Sequence, residues 1–89
     1  MKAILTIIGK DFTGIVYRTS ELLVKYNINI LDINQTIMDD KFTAMMMVDL
    51  TNSNASFTEV VEGFDKLGEE IGVYIKIQNE DIFNKMHRI

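Results

Sequence analysis

Residues 3–36, AILTIIGKDFTGIVYRTSELLVKYNINILDINQT, change their repeat twice. Ala3–Ile8 is a β-compatible run that ends at Gly9. Its length and apolar character predict a strand buried on both faces or nearly so. After Gly14 the apolar positions fall at Ile15, Val16, Thr19, Leu22, Leu23 and Tyr26, one face of a helix. Arg18, Glu21 and Lys25 occupy the other face. Thr13 is the expected N-cap and Asn27 the expected left-handed stop. From Asn27 the period becomes two. Leu31, Ile33 and Ile37 are expected on one side, Asp32, Asn34 and Thr36 on the other.

Working outward, MDDK (38–41) reads as a tight turn, and Phe42, Ala44, Met46, Val48 and Leu50 alternate after it. The two strands form an antiparallel hairpin. TNSNAS (51–56) is a polar loop. Ser56 followed by Glu59 has capping-box spacing, and a second helical stripe runs from Phe57 to Ile71 before Gly72 stops it. Val73, Ile75 and Ile77 predict a fourth strand. Ile82, Phe83, Met86 and Ile89 predict a short terminal helix. The order βαββαβ with right-handed crossovers is an α+β, ferredoxin-like sandwich. Both helices should lie on one face of a sheet ordered 4-1-3-2, with strand 2 at an edge. One domain is expected over 1–89, with a core of 1–79 and a helical extension of 80–89.

Composition narrows the function. The chain has 89 residues, 47% hydrophobic and 25% charged, with no cysteine and a formal net charge of −4. Disulfides, thiolate metal sites and a Cys nucleophile are excluded. The nine basic residues are scattered, so nothing offers the clustered charge that nucleic acid requires. Strand 1 also lacks the aromatics with which RNA-recognition domains of this topology stack bases. The N-terminal apolar run is too short for a signal peptide or a membrane span, which predicts a cytoplasmic protein. The chain has no proline, so nothing in its sequence blocks pairing at the strand 2 edge. With the thin core of a small domain, this predicts a homodimer.

No catalytic constellation is apparent. His87 is the single histidine and stands near the C-terminus; no serine lies in a G-x-S-x-G setting; Asp39–Asp40 and Glu69–Glu70 read as solvated charges. Neither a metal nor a cofactor is expected. A small phosphatase on this topology wants an arginine in the first loop, whereas Arg18 falls on the helix's polar face. The remaining feature is the 9–14 loop. Amides at a helix start bind carboxylate or phosphate, yet Asp11 can cap the same amides, and alone the loop reads as a turn.

GKDFTGIVYRTSELLVKYNINILDINQT (9–36) resembles the opening half of ACT domains, small amino-acid-sensing regulatory modules. Asp11, Gly14, Ile15, Asn29 and Ile30 match the family's pattern, and the Asp-bearing loop is most similar to those of glycine-cleavage regulators and formyltetrahydrofolate deformylases. Thr13 stands where the family usually has proline. The resemblance implies a non-enzymatic regulatory module that binds a small ligand, an amino acid, at a homodimer interface. Its ligand-binding residues would be Asp11, Phe12, Thr13, Gly14, Ile15 and Asn29. Strands 1 and 2 run parallel, so the loop and Asn29 should lie at opposite ends of one subunit and meet only across a two-fold axis. A lone ACT domain would regulate a protein partner in trans. The other reading is a ligand-free interaction module, supported by Met45, Met47 and the C-terminal apolar stripe.

Overall fold

A computed structural model describes residues 1–10 and 12–81. Asp11 and residues 82–89, including most of the expected terminal helix, lie outside the described residues. The elements are β1 (Lys2–Gly9), α1 (Phe12–Lys25), β2 (Asn29–Met38), β3 (Lys41–Asp49), α2 (Phe57–Ile71) and β4 (Tyr74–Asn79). All neighbouring strands are antiparallel, and the sheet order is β2-β3-β1-β4, as expected.

Local chemistry explains the boundaries. Asn27 adopts a left-handed φ of 57°. The Ile28 amide then donates to Leu23 O at 3.0 Å and the Asn27 amide to Val24 O at 3.0 Å, the paired bonds of a Schellman stop. Ser56 Oγ accepts from the Glu59 amide at 3.2 Å while Glu59 Oε1 accepts from the Ser56 amide at 3.4 Å, completing the capping box. Gly72 closes α2 with φ 71°. Asp39, at φ 57°, turns the β2–β3 hairpin between the paired Met38 and Lys41. One boundary differs from expectation: α1 begins at Phe12, so Thr13 lies inside its first turn and is not the cap.

Alternation fixes the core. Phe42, Ala44, Met46 and Val48 of β3 are buried beside Ala3, Leu5 and Ile7 of β1. Ile15 and Leu23 of α1, with Val60 and Phe64 of α2, cover them from one side. Thr19 is fully buried among these groups, and its hydroxyl has no partner among the described residues. The expected two-sided burial of β1 holds at Ile4 and lapses at Ile8, which is exposed on the outer face.

β2 departs from the expected alternation. Its pairing shifts between Ile30 and Asp32: Ile30 opposes Val48 and Asp32 opposes Met47, leaving Leu31 as the extra residue of a bulge. Ile30, Ile33 and Ile37 therefore share the helix side, and Leu31 does not. Neither helix covers this strand, and all ten of its residues are exposed.

Candidate functional site

Gly9 is the last residue of β1, opposite Phe42. A Cβ there would come within 2.5 Å of Ile15 Cδ1 and 2.6 Å of Val73 Cγ1. Gly9 is thus required by close packing: it lets the first turn of α1 and the α2–β4 connection close on the strand end. Ile15 spends its side chain in this packing and is buried, so only its backbone is placed to face a ligand. Thr13 is exposed. Gly14 lies in the first turn, where amides lack acceptors within the helix, but it already has a polar partner. Phe12 opens α1. Asp11 lies outside the described residues.

Asn29 starts β2 and is exposed. It opposes Asp49, which in turn opposes Lys2 at the far end of β1. Seven residues of extended chain separate Lys2 from Gly9, about 23 Å. One subunit therefore holds the loop and Asn29 at opposite ends of its sheet.

The register also gathers residues that the sequence did not single out. A shallow cleft of ≈ 400 Å³ beside the loop is lined by Ile8, Gly9, Lys10, Lys41, Val73 and Tyr74, among others. Lys10 Nζ lies 3.6 Å from Asp40 Oδ2 of the β2–β3 turn. Lys10 and Lys41 thus line the same cleft at the end of β1, with the Lys10 ammonium paired to Asp40. The available signal was the hairpin register, which carries Lys41 to the strand end next to Gly9.

Other polar clusters are structural. Arg18 Nη2 donates to Glu70 Oε1 at 2.7 Å across a groove of ≈ 490 Å³ between the helices, and this bond raises the guanidinium's pKa above its ordinary value. At the Asn29 end, Asp49 Oδ1 accepts from Thr51 Oγ1 at 2.6 Å and from the Thr51 amide at 2.9 Å. The N-terminal amine lies 3.8 Å away. Chiefly through the Thr51 hydrogen bonds, Asp49's carboxyl is held below its ordinary pKa. Among the described residues, no three His, Cys, Asp or Glu side chains are grouped to hold a metal, and no helix is long and apolar enough to cross a membrane.

The chain matches known proteins along its length. The pattern of the ACT domain family covers residues 2–78. A UPF0237 protein of Clostridium acetobutylicum is 52% identical over 89 residues, the whole of both chains. The solved ACT domain protein from Streptococcus pneumoniae is 40% identical, with a TM-score of 0.79 and 93% of each chain covered. The fold alone is shared with a formyltetrahydrofolate deformylase from Burkholderia mallei, at 15% identity and a TM-score of 0.75 over 88% of this chain and 28% of that one. The same holds for a protein described as a glycine cleavage system transcriptional repressor, at 14% identity and a TM-score of 0.74 over 86% of this chain and 45% of that one. Strand order, loop position and these likenesses agree: the chain belongs to the ACT domain family.

Proposed function

We propose that the chain is a non-catalytic regulatory module of the cytoplasm that pairs with a second copy through β2. It binds a small ligand, an amino acid, between the 9–14 loop of one copy and the partner's Asn29. It then acts on another protein by contact. One observation carries this reading: the whole of β2 is open, including Ile30, Leu31, Ile33, Ile37 and Met38 at 40–69% exposure. A second β2 laid antiparallel across a two-fold axis satisfies the edge's backbone groups and covers these side chains. It also reverses the strand direction, which takes the partner's Asn29 to the loop end. Because α2 packs over β4, α1 lies toward the β2 side. The α1 flank turned away from α2 carries Val16, Ser20 and the exposed Val24, which widen the contact.

The chemistry suits a zwitterion. The amides of Phe12 and Thr13 favour an α-carboxylate, and Lys41 of the adjoining cleft adds positive charge. Asp11 takes the α-ammonium, and the Asn29 amide can donate and accept. A ligand touching both copies binds more tightly to the dimer than to the monomer, so it strengthens the dimer in the same proportion.

Sedimentation velocity with and without each of the twenty amino acids, followed by calorimetric titration, tests the reading. The expected result is a dimer that binds one or a few of them and dissociates less when they are present. A chain that stays monomeric throughout rules out the shared site. A dimer that binds none rules out the amino acid and leaves the ligand-free interaction module, which the exposed Met45 of the outer sheet face favours.

A further inference from the structure

The open strand carries a pattern of its own. INQTI (33–37) reads nearly the same in both directions: Ile33 and Ile37 flank Gln35 at equal distance, with polar Asn34 and Thr36 between. Ile33, Gln35 and Ile37 oppose Met46, Ala44 and Phe42, which are buried under the helices, so all three share the helix side. Asn34 and Thr36 oppose Met45 and Thr43 on the other side. Gln35 is therefore a single polar side chain between two exposed isoleucines.

The backbone has the same centre. The two-residue turn Asp39–Asp40 makes Met38 and Lys41 the hydrogen-bonded pair that closes the hairpin. Alternation then directs the backbone groups of Thr36 and Asn34 to β3, and those of Ile33, Gln35 and Ile37 to the open edge.

We propose that Gln35 lies on the two-fold axis of the dimer and sets the register of its two β2 strands. This rests on the pairing through β2 proposed above. With Gln35 opposite the partner's Gln35, Ile33 meets the partner's Ile37 on both sides of the axis, and Asn34 meets the partner's Thr36. The two side-chain amides can each donate and accept across the axis. Moving the centre by one residue, to Asn34 or Thr36, sets each Gln35 against an isoleucine and covers an amide without giving it a partner. Moving it by two sets Gln35 against the bulged Leu31 or the turn residue Asp39.

This register also suits the ligand site. Gly9 opposes Phe42, two residues along β3 from Ala44, the partner of Gln35. Asn29 opposes Asp49, five residues from Ala44 in the other direction. Rotation about Gln35 therefore carries the partner's Asn29 three residues past the level of Gly9, about 10 Å along the strand direction. There β1 has ended and the 9–14 loop has begun. A centre at Ile33 would leave the partner's Asn29 level with Ile8, inside the sheet. A centre at Ile37 would carry it about 23 Å beyond Gly9.

The natural chain has no cysteine, so introduced thiols report without background. Ile33→Cys and Ile37→Cys are made as separate full-length chains. In the proposed register each thiol is about 13 Å along the strand from its own copy in the partner, too far for a disulfide. Position 33 of one chain directly faces position 37 of the other, at a Cα separation of about 5.5 Å. Mild oxidation should give a dimer-sized band on a non-reducing gel from the mixture of the two variants, and none from either alone. A band from one variant alone, or none from the mixture, overturns the register. Sedimentation of the same samples separates the two claims: dimers without the mixed band sink the register only, whereas monomers sink the β2 pairing itself. Adding Gln35→Leu to both chains should leave the dimer at least as tight and lower the yield of the mixed band at least about threefold, as registers that the amide had excluded become populated. An unchanged yield takes the register-setting role from Gln35.

Discussion

β4 and β2 are the two edges of one sheet, and they are finished differently. β4 has six residues, buries Ile75 and Ile77 beneath α2, and turns Tyr74 and Lys76 outward. It is short, it carries a charge and a helix covers it, which are the usual defences of an exposed edge. β2 has ten residues, no covering helix and a row of isoleucines in the open. The defences at one edge show what the other omits. Leaving β2 bare sacrifices apolar burial in the single chain and keeps a long template for pairing.

Substitutions at the two edges should therefore differ in kind. Ile77→Ala, on β4, should lower subunit stability by about 2–5 kcal/mol in chemical denaturation, because it opens a cavity under α2. If Ile33→Ala on β2 costs a diluted, monomeric subunit as much, the contrast between the edges fails. Ile33→Lys should leave the monomer's melting temperature within about 2 °C and weaken dimerisation at least about 100-fold, some 2.7 kcal/mol, in sedimentation at several concentrations. Unchanged self-association would remove β2 from the interface. Gly9→Ala brings a methyl against Ile15 and Val73 and should cost about 1–3 kcal/mol at either oligomeric state, read by thermal melts. Thr19→Val should be the mildest core change, neutral or stabilising by up to about 1 kcal/mol, since it removes a buried hydroxyl that lacks a partner.

A pH experiment probes the end of β3 that faces Asn29. Asp49's carboxyl titrates lower in the folded chain than in the unfolded one. Its contribution to stability is thus complete above the ordinary aspartate pKa of about 4 and disappears as pH falls through the depressed folded value. Melting temperature should fall less between pH 5 and pH 3 in Asp49→Asn than in the natural chain. Equal falls would mean that the Thr51 contacts contribute nothing there.

The contrast between the edges also explains what could be read from sequence. β3 and β4 alternate cleanly because each has one buried side, and a slip of one residue would expose a whole hydrophobic set. Ser56 and Glu59 declared the start of α2 because their side chains bond to the local backbone and to each other, with no distant partner needed. The bulge at Leu31 was hidden for the opposite reason. An uncovered strand bears little penalty for an extra residue, so ILDI accepts either register. Thr13 was mistaken for a cap because threonine competes for that role one residue away from the actual start at Phe12. That the loop and Asn29 stand apart followed from two strands running parallel. The gathering of Lys10, Lys41 and Tyr74 did not, since it depends on hairpin register and on where β4 begins.

The packing at Gly9 has a mechanical consequence. Ile15 of the first turn of α1 and Val73 of the α2–β4 connection both pack on the end of β1 at Gly9, so the start of α1 is tied to the sheet by the same contacts that hold that connection. It behaves as a fixed jaw. If a ligand is gripped here, the moving jaw is the other molecule, and the speed of capture is set by how often two chains part and meet.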